Sequence, residues 1–397
     1  MHLPEPVAVS RTFALISVLV CGLGGTAAPP VTAKKVPAAR NAASNAAHNA
    51  INDPFDLSHW EISAADHRVE SYRGRDALWL DGGTALLRDD TFTNGVIELD
   101  IAVSGAQGFA GITFRDDGAG NAEHFYIRPH FSGMPDASQY TPVFHGVSGW
   151  QIYAGPRFNA AMAMVHDRWM HLKVVVSGRR AEVYLDSDEP VFVVPELIHE
   201  ERSGRIALTA STAPARFANV QVRPMDTPPP IDGGAEAEAV AATIVDRWSV
   251  SPPFTESLLE QRHELSPADI PSGWRRLAAG ERGIANLARL GGIEGDANTV
   301  VAALSIDAEE ARTIPARFGF SDRVHVYLNG RLLFSAADGW RTRDDRFLGT
   351  IGLHDTVYLP LQRGRNELWF AVSETFGGWG IVLDLPDRAG LTVDAAR

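Results

Sequence analysis

The stretch from Glu123 to Tyr153 holds the densest run of side chains able to recognise a polar ligand. Side chains alternate along a strand, so with Phe125 and Ile127 facing a core, His124, Tyr126, Arg128 and His130 share the opposite face. A solvated strand more often carries Thr, Lys or Glu there. A Tyr ring lies well against the apolar face of a sugar, while Arg, His, Gln and Asp fix its hydroxyls through directional hydrogen bonds. Arg115 joins the set: Ile112 and Phe114 turned inward on a neighbouring strand leave Thr113 and Arg115 outward. The loop Ser132 to Tyr140, with its backbone set by Gly133 and Pro135, brings Asp136, Gln139 and Tyr140 to the sheet edge. Trp150, Gln151 and Tyr153 are expected on the next strand. The expected ligand contacts are thus Arg115, Tyr126, Arg128, His130, Asp136, Gln139, Tyr140, Trp150, Gln151 and Tyr153; the competing reading is a structural polar network in which Arg128 pairs with a carboxylate.

For catalysis the candidates are Glu123 as acid/base, with His124 or Asp136 assisting. Glu123 shares the face of Phe125 and Ile127, which buries it unless a bulge resets the alternation or Arg115 or Arg128 pairs with it. A buried, paired Glu is the alternative. The turn Asp116-Asp117-Gly118-Ala119-Gly120-Asn121 supplies oxygen ligands that suit calcium, although its spacing is not that of an EF-hand. No other cofactor is expected, and no zinc site: His124 and His130 stand without an HExxH or paired cysteines. Gly146-Val147-Ser148-Gly149 misses the G-x-S-x-G pattern and lacks a following helix. Gly291-Gly292-Ile293-Glu294-Gly295 has neither the glycine spacing nor the context of a nucleotide fingerprint.

The elements that must position these groups read as β throughout. Ile97, Leu99, Ile101 and Val103 share one face of a strand. Leu172, Val174 and Val176 do the same, and the corner Ser177-Gly178-Arg179-Arg180 returns the chain through Val183 and Leu185 as a hairpin. Asn329-Gly330 marks a second hairpin between Val324–Leu328 and Arg331–Phe334. Residues 299–306, 356–361 and 367–372 read as further strands, and helix is expected only over 236–246 and around Ala308 to Arg312. Two composition breaks divide the chain. Residues 34–52, rich in Ala and Asn, are read as a disordered tether. Residues 224–239, with Pro228-Pro229-Pro230 and Gly233-Gly234, are read as a linker. The fold class is all-β: two antiparallel β-sandwich (jelly-roll) domains, 53–223 and 240–390, joined by that Pro/Gly-rich linker. Aromatic and basic residues Trp340, Arg341, Arg343 and Trp379 form a further candidate patch in the second domain, with Trp379 in the core as the alternative.

Arg11 followed by the apolar run Phe13 to Val20 reads as a secretory signal over residues 1–33, which places the protein outside the cytoplasm, secreted or periplasmic. Cys21 follows that run, but Val20 stands where lipidation wants a small residue. Once the signal is removed no Cys is left, so core burial has to supply the stability. The net charge of -13, with no basic stretch to offset it, excludes nucleic acid as a partner and suits a neutral glycan. No membrane contact is expected beyond the signal. Oligomeric state stays open.

FTNGVIELDIAV, GFAGITFRDD, EHFYIRPHFSGMPDASQYTPVFHGVSGWQIYAG, RWMHLKVVVSGRRAEVYLD and GRIALTASTAPARFANVQV together resemble the concanavalin A-like lectin/glucanase superfamily, in its laminin G-like and 3-keto-disaccharide hydrolase-like branches. The resemblance covers residues 54 to 223. It implies a jelly roll whose concave sheet meets a glycan, and the related hydrolase-like proteins also carry a Glu where Glu123 stands. SDRVHVYLNGRLLF and RGRNELWFAVSETFGGWG are similar to galactose-binding-like jelly rolls. Glu98 and Asp100 resemble the carboxylate strand of family 16 glycoside hydrolases, but Ala102 and Val103 stand where its acid/base Glu would be, and a solvated face accounts for the pair. The superfamily mixes lectins, enzymes and adhesion modules. The leading expectation is an exported carbohydrate-recognition protein, the alternatives being a glycoside hydrolase or related sugar-cleaving enzyme, and an envelope adhesion or scaffold protein.

Overall fold

Where the sequence alternates apolar and polar residues, the chain forms antiparallel strands in the computed structural model, which describes residues 56–88, 90–344 and 347–395. The expected signal, the tether and Cys21 lie outside the described residues. Residues 49–397 make one compact unit, containing two β-sandwich systems.

The first is a thirteen-stranded sheet that doubles over on itself. The fold line runs through strand Arg75–Leu87. Its first half pairs with strand Ala215–Pro224 through Leu78 to Leu80, and its second half with strand Arg205–Ser211 through Gly83 to Leu86. Gly82, at φ +60°, stands between the two halves in a conformation that glycine adopts without cost. Because of this break the buried positions switch from Leu78 and Leu80 to Ala85 and Leu87, and both layers send their apolar faces into one core. One layer contributes Ile97, Leu99, Ile101, Leu172, Val174 and Val183, and the other Ile112, Phe114, Phe125 and Ile127.

The second system packs a seven-stranded sheet against a four-stranded one. Phe318 of the smaller sheet meets Phe370 of the larger across the core, centroids 5.4 Å apart. The hairpin at Asn329-Gly330 forms, with φ of +52° and +78°, the left-handed pair a two-residue turn demands. Trp379 is wholly buried and donates its indole N–H to the Val372 carbonyl, as core packing requires. Arg343 is paired with Asp338 and Asp355.

Neither expected helix forms. Around 236–246, tertiary pairing overrides helical periodicity: Ile244 bridges Asp384, and the Val245 N–H donates to the Leu383 carbonyl. Glu309 and Glu310 occupy the tight turn between strands Thr299–Ala308 and Arg312–Phe320. Among the described residues the only helical elements are short 3-10 turns.

The Pro/Gly segment lies along the first sandwich. Ile231 is buried, Arg180 donates to the Gly233 carbonyl, and Gly234 faces Pro195 and Val193. The two cores run into one another: Ile284, Ile351 and Val382 join the first, and Phe144 joins the second. The contact is also polar. Gln151 N–H donates to Gly377 O at 2.8 Å, Ile351 N–H to Gln151 O at 3.1 Å, and Arg282 to Ile152 O at 2.7 Å, while Arg157 pairs with Glu281. Residues 142–157 of the first sandwich are therefore the seat on which the second is mounted.

Candidate functional site

Strand Ala122–Ile127 pairs with Phe109–Asp116 on one side and Ser138–Phe144 on the other. Its registers put Tyr126 beside Gly111 and Gln139, and His124 beside Thr113 and Thr141, all on the face turned away from the core. Strand Arg205–Ser211 adds Thr209, whose hydroxyl lies 3.1 Å from His124 Nε2. Burial pushes His124 down to about 4, so it is neutral at pH 7.

At one end of this face the structure gathers four of the residues expected from sequence. Arg128, Asp136, Gln139 and Trp150 line a cavity of 440 Å³, a size suited to a small ligand. Asn159, Ala160 and the turn Ala154 to Pro156 complete the first-sandwich wall, while Leu348 and Thr350 close it from the second sandwich.

Gln139 is the strut of the site. Its Oε1 accepts from Tyr126 Oη at 2.7 Å and from Arg128, and its Nε2 donates to the carbonyls of Trp150 and Tyr153 at 2.9 and 2.6 Å. All its hydrogen-bonding capacity is thus used, which fixes Arg128 and the Trp150 turn at once. Arg128 is only 4% exposed and also donates to the Asp136 carbonyl at 2.8 Å and to Tyr126 Oη at 2.9 Å. Tyr126 stands directly behind it; burial raises its hydroxyl to about 12, so it remains a hydrogen-bonding phenol. Among the described residues no hydrogen bond or ion pair engages the Asp136 carboxylate. The cavity lining thus brings Asp136, Arg128, Thr350 and the aromatic Trp150 together.

The other expected residues lie elsewhere. Arg115, expected to point outward, is wholly buried, because a positive φ of +55° at the strand's end and a register shift between Arg205 and Ala207 turn it inward. It donates to the carbonyls of Thr93 and Gly178 at 2.9 and 2.7 Å and to Asn94 Oδ1. Glu123 keeps the parity that buries it: at 0% exposure its Oε2 accepts from Tyr140 Oη at 2.6 Å and its Oε1 from the His199 N–H at 3.2 Å. Desolvation raises it from 4.5 to about 7, against the pull of Tyr140, Arg115 and His199. Glu123 and Tyr140 thus form a node on the core face, away from the cavity, and the catalytic pair Glu123 and His124 is split between the two faces of its strand. His130 sits in the 3-10 turn Pro129–Phe131, its ring against Phe131 at 4.3 Å.

Trp150 to Tyr153 form turns, not the expected strand, because Gly149 O accepts from both Ile152 and Tyr153. This frees the Gln151 backbone to pair across the sandwich junction. Gln151 and Tyr153 serve that junction: Gln151 Nε2 donates to Leu348 O at 3.2 Å and Tyr153 Oη accepts from Asn286 at 3.4 Å. In the Asp116 to Asn121 turn, Asp117 accepts from the Ala119 and Asn121 backbones and from the Asn121 side chain, and Asp116 from Gly118 and Arg205. No cluster of three or more potential metal-ligating His, Cys, Asp or Glu occurs among the described residues. Glu98 and Asp100 are paired with Arg223 and with Arg75. Sequence reasoning missed Asn159, Leu348 and Thr350; nothing in the local pattern around 348–350 distinguishes a cavity wall from a surface loop.

Comparison with known proteins finds one family model that matches the first sandwich and several solved structures of similar fold. Residues 48–223 match the family described as 3-keto-alpha-glucoside-1,2-lyase-like domain. No curated protein matches the chain in sequence. Similar solved structures include the carbohydrate binding module CBM66 from Bacillus subtilis, with 19% identity, 41% of this chain and 93% of that one covered, and TM-score 0.32. The β-glucanase of Bacillus licheniformis shows 10% identity over 44% of this chain and 97% of its own, TM-score 0.32. The laminarinase of a Flavobacterium shows 8% identity over 42% and 94%, TM-score 0.32. Among the described residues no helix is long and apolar enough to cross a membrane.

Proposed function

We propose that this first sandwich, matched to the 3-keto-alpha-glucoside-1,2-lyase-like domain, recognises an α-glucoside in the cavity between Arg128, Asp136, Trp150 and Thr350, and that the chain does so outside the cytoplasm. The observation that carries the reading is that Trp150, the locked Arg128 and Asp136, whose carboxylate takes part in no hydrogen bond among the described residues, all line one cavity. Sugar binding uses that combination: the ring takes the apolar face of the pyranose, and the charged groups take its hydroxyls. Calorimetric titration of the purified chain with maltose, compared with a β-linked control such as cellobiose, tests it. Saturable binding of maltose that is lost in Trp150→Ala supports the reading; a folded chain that ignores both sugars, or loses nothing in the variant, refutes it. Export is tested by fractionating cells that express the full chain.

The description of the matched family favours a second reading, elimination at a 3-keto-α-glucoside. Asp136 is the carboxylate that lines the cavity, and a carbon acid next to a ketone needs one base, whereas glycoside hydrolysis by paired carboxylates needs two. On this reading Asp136 takes the proton from the carbon between the ketone and the anomeric carbon, and the freed C–H pair becomes the double bond to the anomeric carbon. The glycosidic oxygen leaves with the C–O pair and takes up a proton from the Asp136 carboxylic acid or from water. Release of the aglycone from a 3-keto-α-glucoside, abolished in Asp136→Asn, is the expected result. Binding without release leaves recognition alone.

A further inference from the structure

The cavity opens beside aromatic surface that belongs to the second sandwich. Phe376 is 66% exposed, and its ring lies 5.7 Å from that of Trp150, which lines the cavity. Trp340, 42% exposed, has its backbone beside Gly349, between the cavity residues Leu348 and Thr350.

The loop that carries Phe376 is held with unusual care. The N–H groups of Thr375 and Phe376 both donate to Asp322 Oδ2, at 2.9 and 3.1 Å, and Gly378 N–H donates to Glu374 Oε1 at 3.1 Å. Gly377 O accepts from Gln151, and Gly377 and Gly378, at φ +119° and +142°, allow the loop to press on Gln151 and Ile152. These contacts use the backbone of residue 376 and leave its side chain out of the fold's hydrogen bonding. A polar side chain there would satisfy the same backbone, yet a large apolar ring is fixed in water next to the ring of the cavity.

Resting on the reading of the cavity given above, we infer that Phe376 and Trp150 form a second saccharide subsite, so that the ligand is an α-glucoside of at least two sugar rings. The first ring occupies the cavity, and the next lays its apolar face on Phe376. The second sandwich is then part of the binding site and sets the length of ligand that the first one retains.

Affinities of the full chain for glucose, maltose and maltotriose, measured by titration calorimetry for the wild type, Phe376→Ala and Phe376→Trp, test this. The wild type is expected to bind maltose roughly tenfold more tightly than glucose. Phe376→Ala should remove that tenfold gain while leaving glucose affinity unchanged, and Phe376→Trp should restore it. The inference is overturned if Phe376→Ala leaves maltose affinity intact, or weakens glucose and maltose equally. A folded wild type that binds none of the three sugars overturns the reading of the cavity, and the subsite with it. Loss in Trp150→Ala without loss in Phe376→Ala overturns the subsite alone.

Discussion

Replacing Glu123 by Gln separates a structural carboxylate from a catalytic one. The side chain is wholly buried, with Tyr140 and the His199 backbone donating to it and the charges of Arg115 and Arg202 near enough to favour its anion. Desolvation outweighs these and holds its proton up to about pH 7, against 4.5 in an exposed chain. Folding therefore binds a proton between pH 4.5 and 7. The neutral acid's contribution to stability is fully present below pH 4.5 and is lost as pH rises through 7, a change of about 3 kcal/mol. Glutamine keeps the shape and cannot ionise, so the difference in unfolding free energy, wild type minus Glu123→Gln, should fall by about 3 kcal/mol from pH 4.5 to pH 8. Loss of one of two acceptors adds an offset that does not vary with pH. Buried His124 and His199, both lowered to about 4 chiefly by desolvation, impose the opposite slope between pH 6.5 and 4, but they are common to both proteins and cancel in the difference. Urea denaturation at half-unit pH intervals supplies the curves. Parallel curves across this range would refute the burial argument, and a variant that folds normally but loses all sugar affinity would return Glu123 to the ligand site.

Asp136→Asn should weaken maltose binding about tenfold, in line with the loss of one charge-assisted hydrogen bond, and calorimetry with circular dichroism should find the fold unaltered. Arg115→Met, which removes a buried cation beside Glu123, should cost about 3–5 kcal/mol in urea denaturation while the folded fraction binds sugar with unchanged affinity. Gly377→Ala sets a methyl group against Gln151 Oε1 at a φ of +119°. It should lower the stability of the chain by about 1–3 kcal/mol and weaken maltose binding, because the junction that positions Phe376 and Trp150 is disturbed; unchanged urea midpoint and affinity would contradict the account of the junction.

Most of the fold was legible because strand alternation is a local signal. Ile97 to Val103, the turn at Gly178 and the Asn329-Gly330 corner each declare themselves within a few residues. What failed locally was settled by partners distant in sequence. The segment around Ile244 carries helical spacing but is drawn out straight by pairing with Leu383 and Asp384, and Arg115 is turned inward by an irregularity that its own strand does not encode. The site divides in the same way. Arg128, Asp136 and Gln139 could be gathered from parity and one loop, as could Tyr126 behind them. The wall at Leu348 and Thr350 depends on where the second sandwich docks, and the split of Glu123 from His124 follows from a parity that the sequence already displayed. Phe376 lies three residues before Trp379, for which the sequence left a ligand patch and core packing both open; Trp379 is packed in the core, and Phe376 is exposed.

A crystal structure of the chain grown with maltose would test the central claim most directly. The expected result is one glucose ring between Trp150, Asp136 and Arg128, hydrogen-bonded to the Asp136 carboxylate, with the second ring directed toward Phe376. A sugar bound elsewhere on the surface with this cavity empty, or no sugar at a concentration where titration shows saturation, would contradict it.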